Sequence, residues 1–131
     1  MITYYNIISM DILLEALDNF NDELYIKNEH IQNDETITEE ERECRLDEIV
    51  VLIEKIDAFS DEIKSNIDNG ITNLTVYKRN RYFEQYYLDD DAISSIKIIM
   101  RRIKNRHYQH NTRFRKDEIN GIKRRKYKPR N

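Results

Sequence analysis

Between Thr38 and Gly70 the chain carries one long helical pattern, and it limits the fold more than any other feature. Leu46, Ile49, Ile53, Ile56, Ile63 and Ile67 alternate three- and four-residue steps, with Ser60 in the one polar position of the series. Such spacing keeps returning to one side of a helix, the signature of a seam that packs lengthwise against another helix. Both ends are marked. Thr38-Glu39-Glu40-Glu41 fits a capping box, in which the threonine hydroxyl accepts from the N–H three residues on and that glutamate reaches back. Asn69-Gly70 supplies a C-terminal stop. A helix over residues 38–69 spans about 45 Å at the usual rise per residue. The other predicted helices are too short to cover all of it, so the six seam residues are expected to form a homo- or hetero-oligomer interface.

The whole chain of 131 residues holds 2 Gly and 1 Pro. A sandwich or barrel needs turn residues at short intervals, so this scarcity points to an all-α protein with few connections. Ser9 is placed to cap a helix over 10–28, whose stripe is Leu13, Ala16, Leu17, Phe20 and Leu24. Residues 29–37 lose the periodicity and are expected to form a connection. Residues 72–88 are ambiguous: their β-branched and aromatic content suits a strand, while Val76, Phe83 and Tyr87 lie near one helical face. A helix is expected there, because an isolated strand has no partner. Asp89-Asp90-Asp91 can cap a last helix over 91–109, striped by Ile93, Ile96, Met100, Ile103 and His107. The expected architecture is four helices in one acidic domain, residues 1–110, followed by a basic extension, residues 111–131.

A net charge of −3 conceals opposed halves. Of 22 Lys and Arg, 13 follow Met100, and of 25 Asp and Glu only 2 do, leaving 9 and 23 in the first 100 residues. Clustered cations raise the local potential whatever the bulk charge, so this asymmetry points to a polyanion partner. Four of them, Arg101, Arg102, Lys104 and Arg106, belong to the last predicted helix; Arg113, Arg115 and Lys116 follow it. Lys123, Arg124, Arg125 and Lys126 form a continuous run, with Lys128 and Arg130 beyond. Each phosphate neutralised by such side chains releases counterions, the main source of sequence-independent affinity. Phe114 and Tyr127, set among the cations, can stack on unpaired bases.

Enzymatic signatures are missing: there is no glycine-rich phosphate loop, no nucleophile elbow and no zinc-protease helix motif. His107 and His110 share a helical spacing suited to a metal but lack a second local ligand pair, and Asp89-Asp90-Asp91 lacks the spaced oxygens of a calcium loop. No metal, cofactor or small-molecule substrate is expected. Cys44 is the sole cysteine, so an intrachain disulfide is excluded and a reducing compartment fits. Residues 1–11 lack a signal-peptide pattern and no apolar window is long enough to span a bilayer, so an intracellular site, cytoplasmic or nuclear, without membrane contact is expected. A second basic and aromatic cluster, Lys78, Arg79, Arg81, Tyr82, Phe83, Tyr86 and Tyr87, is expected to contribute mostly to the core.

Together these features favour a non-enzymatic accessory protein of replication, transcription or packaging that binds DNA or RNA through its basic C-terminal segment. The alternative is a helical assembly adaptor whose basic tail docks on an acidic protein.

Overall fold

A computed structural model describes residues 7–108 of the chain; the extension expected over 111–131 lies outside the described residues. The elements are β1 (Ile7–Ser9), α1 (Met10–Gln32), α2 (Glu39–Asp68), β2 (Asn73–Thr75) and α3 (Val76–Gln85), followed by α4 over residues 90–108. The described chain is mostly helical, with one small two-stranded sheet.

α1 and α2 form an antiparallel hairpin whose facing stripes are Leu13, Leu17, Phe20 and Leu24 on one side and Ile49, Ile53, Ile56 and Ile63 on the other, all buried. The long seam is therefore internal. Ile49, Ile53, Ile56 and Ile63, expected at an oligomer interface, lie within the chain's own core, and Leu46 and Ile67 pack against that core at the two ends. The lengths explain why. α1 continues to Gln32 and buries Ile31, past the point where its apolar stripe fades, so it shadows more of α2 than periodicity indicates.

The cap of α2 follows the sequence, whereas Ser9 stands at the start of α1 with no side-chain capping hydrogen bond among the described residues. Thr38 Oγ1 accepts from the Glu41 N–H at 3.1 Å, the first half of the expected box, although no return bond from the Glu41 carboxylate is found among the described residues. Arg42 closes the hairpin instead. Its Nε donates to Ile31 O at 3.3 Å, its Nη2 to Asp34 O at 2.5 Å, and its Nη1 pairs with Glu39. One fork of donors thus reaches two backbone carbonyls, Ile31 O in the last turn of α1, which also accepts from Asp34 N–H, and Asp34 O in the connection.

The expected helix over 72–88 is shorter than the sequence pattern indicates. Residues 73–75 form a strand whose partner is Ile7–Ser9, in antiparallel register Ile7↔Thr75, Ile8↔Leu74 and Ser9↔Asn73. The pairing was hidden because each strand has only three residues and the two lie far apart in the chain. Thr75 then starts α3, its hydroxyl accepting from Lys78 N–H at 3.1 Å. Gly70 ends α2 with φ 86°, while Gly70 and Ile71 N–H donate to Ile67 O and Asn66 O, a Schellman stop.

α3 docks on Phe59, which is fully buried one turn past Ile56. Tyr86 stacks on its ring at 5.1 Å and 15°, Phe83 meets it edge-on at 6.0 Å, and Tyr82 lies tilted at 5.6 Å. Tyr82 Oη accepts from Asn66 Nδ2 at 3.1 Å. Glu62 accepts from both Tyr86 Oη and Gln85 Nε2, tying α3 to α2. α3 ends in a second Schellman motif, with Tyr87 N–H to Glu84 O and Leu88 N–H to Phe83 O. Here the left-handed position belongs to Tyr87, a residue 82% exposed, at φ 54°. Glycine is the usual residue at such a place, since a Cβ is strained there. Asp89 follows as the cap of α4, Oδ1 accepting from Ala92 N–H at 2.7 Å.

Two outcomes follow from this corner. Replacing Tyr87 by Gly removes the strained Cβ and no buried contact, and should raise stability by about 0.5–1 kcal/mol in urea unfolding. Burial, followed by the hydrogen bond and charge of Glu62, raises the pKa of Tyr86 above the ordinary tyrosine value. The folded state thus favours the neutral phenol, so its contribution is complete below pH ~10 and is lost as pH rises through the folded value. Tyr86→Phe should cost about 1 kcal/mol at neutral pH. It should also flatten the fall in melting temperature above pH ~10; an unchanged alkaline slope would contradict this assignment.

Candidate nucleic-acid interface

α4 is amphipathic, and its buried stripe of Ala92, Ile96, Ile99, Met100 and Ile103 fixes where its cations point. Arg101, Arg102, Lys104 and Arg106 are all exposed, as the pattern predicts. They do not form one patch. With 3.6 residues per turn, Arg101 and Lys104 fall on one flank of the buried stripe, in line with Lys97 before them and Tyr108 after. Arg102 and Arg106 lie on the opposite flank and border a shallow cleft with Asn19, Asp22 and Glu23 of α1.

The two flanks differ electrostatically. The Arg102 and Arg106 side shares its cleft with the Asp22 and Glu23 carboxylates, which offset its field. Lys97, Arg101 and Lys104 do not line that cleft, and the two ion pairs among the described residues, Arg42–Glu39 and Arg81–Glu84, involve none of the three. Lys97 was missed from the sequence because it precedes Met100 and stands apart from the basic run; the i, i+4, i+7 relation to Arg101 and Lys104 is the signal that finds it. Tyr108, 70% exposed, lies on the same line.

The remaining candidate residues Arg113, Phe114, Arg115, Lys116, Lys123, Arg124, Arg125, Lys126, Tyr127, Lys128 and Arg130 lie outside the described residues, as does His110. His107 is exposed, and among the described residues no three His, Cys, Asp or Glu side chains converge on a point where an ion could sit. No described helix is long and apolar enough to cross a membrane.

The second basic and aromatic cluster is divided. Tyr82 and Phe83 are buried and Tyr86 is half-buried against Phe59, so three of the four rings join the core and Tyr87 is the outward one. Arg79 lies over the Phe83 face at 5.6 Å, and burial pushes its guanidinium below the ordinary arginine value. Arg81 pairs with Glu84 at 3.5 Å. Lys78 is exposed on the first turn. The two arginines have local partners, leaving Lys78 as the exposed cation of this cluster without a side-chain partner among the described residues.

An open groove of about 880 Å³ lies where the α1–α2 hairpin leaves the rest of the body, bordered by the corner between α3 and α4. Cys44 is exposed on its wall. Compared with protein-family models, with curated proteins and with solved structures, the chain matches none, so its reading rests on its own residues.

Proposed function

We propose that the chain is a non-enzymatic nucleic-acid-binding accessory protein, and that its contact with phosphates begins on α4 and continues along the basic C-terminal segment. The observation that carries this reading is the stripe of Lys97, Arg101 and Lys104, exposed and without an ion pair among the described residues. Like charges at these spacings repel, and each such pair costs a helix a few tenths of a kcal/mol. A helix dipole offsets cations only in the last turn, and Lys97 and Arg101 stand further back than that, since α4 continues to residue 108. A polyanion removes the repulsion along the whole stripe. The nine Lys and Arg between Arg113 and Arg130 extend the same positive field.

The contact is electrostatic and sequence-independent in this reading, with Phe114 and Tyr127 adding stacking on single strands. Fluorescence anisotropy of duplex and single-stranded oligonucleotides against salt tests it. Replacing Lys97, Arg101 and Lys104 together by Gln should flatten the slope of log K against log salt on duplex by about 2–3 units. Neutralising Lys123 to Lys126 should flatten it further, by about 3–4 units. Absence of binding by the intact chain at low salt would assign the basic segment to an acidic protein partner instead.

A further inference from the structure

We infer that the groove between the hairpin and the α3–α4 corner is a docking site for the chain's own basic segment, residues 109–131. This goes beyond the proposed function and does not require it, because the contact is within the protein.

The groove has an apolar floor and a charged rim. Phe20, Leu24, Ile49 and Ala92 close the floor, with Leu52 half-buried among them, and Val51 remains 50% exposed on the wall. Glu23, Asp47, Glu48 and Asp91 stand on the rim, from three different helices. None of these four carboxylates makes a side-chain hydrogen bond or an ion pair among the described residues. Two lysines, Lys27 and Lys55, border the groove, the latter also donating to Tyr87 O at 3.1 Å, so the four acids keep an excess of negative charge over the cations beside them. An occupant must therefore bring apolar side chains interleaved with several cations.

Residues 109–131 have that composition. They contain nine Lys and Arg against Asp117 and Glu118, with Ile119, Ile122 and Tyr127 spaced among the cations. Reach is sufficient. From Tyr108 back to Asp91 along α4 is about 25 Å at helical rise, whereas the 15 residues from Tyr108 to Lys123 span up to about 50 Å when extended. Tethering gives the segment an effective concentration in the millimolar range, which no free basic partner matches at ordinary levels. Tyr87 adds to the wall a ring that the backbone accommodates only with strain, which favours a role for that side chain at the groove over one in the fold.

Cys44 makes the test direct, being the only cysteine, exposed and on the groove wall. A nitroxide attached there in the full-length ¹⁵N-labelled protein should reduce the amide intensities of residues 119–128 at least twofold at low salt. Molar salt, which shortens the screening length to about 3 Å, should restore them. The exposed triple variant Glu23→Gln, Asp47→Asn, Glu48→Gln should also restore them without changing the melting temperature, and Tyr87→Gly should weaken the effect while stabilising the fold. Without any label, neutralising Lys123 to Lys126 should shift the amide signals of Val51 and Leu52. Full tail intensities beside the Cys44 label, with unmoved Val51 and Leu52 signals, would overturn the inference. Broadening that appears equally when labelled and ¹⁵N-bearing molecules are different copies would assign the groove to a second copy and overturn it as well. Neither outcome depends on nucleic-acid binding, which the anisotropy series reads separately.

Discussion

The arrangement of everything after Gly70 depends on how α3 meets Phe59. α2 alone presents a narrow seam, enough for α1 but not for a third helix. Phe59, beside the buried Ser60, widens that seam where α1 nears its start, and three aromatic rings converge on it, two from α3 and one from its C-cap Tyr86. α3 has only 10 residues, below the length at which a helix persists in water, so its stability comes from this contact and from Glu62. Its end then sets the Tyr87 corner, Asp89 caps α4 there, and the direction of α4 decides which cations face solvent. A chain of short connections thus transmits one packing choice to the whole basic face.

The parts legible in the sequence are those governed by local rules. Thr38, the Asn69-Gly70 stop and Asp89 all act as their side-chain chemistry dictates, so the α2 boundaries and the α4 start fall within a residue or two of expectation. What was illegible depends on partners distant in the chain. Nothing local to Asn73-Leu74-Thr75 reveals that Ile7-Ile8-Ser9 lies alongside, and without that partner a helix was the better expectation. The seam was legible as a pattern but not as an interior, because spacing shows that a stripe must be covered and not by what. Phe59 escaped for a related reason: a strict seven-residue template assigns the position to Ser60, while the real face includes both.

The candidate interface shows the same division. Exposure of Arg101, Arg102, Lys104 and Arg106 followed from the helical period, but their separation into a free flank and a flank beside Asp22 and Glu23 did not, since it depends on where α1 lies. Electrostatically the described body is polarised. The hairpin groove carries unpaired acids, one side of α4 carries unpaired cations, and the few ion pairs are short-range links within single helices. Surface pairs of that kind contribute little to stability. The fold is thus held by apolar packing, leaving most of the charge available for interactions.

The pairing of β1 with β2 has a kinetic side. Ile8 and Leu74 are roughly 65 residues apart, so their contact closes a long loop with little enthalpy in return. The α1–α2 hairpin closes over a short turn, with Arg42 able to bridge it as soon as both helix ends form. Chains rich in such local contacts collapse quickly, and distant pairings follow. The topology predicts an order of assembly in which the hairpin zips first, Phe59 then recruits α3, and the strand pair closes last.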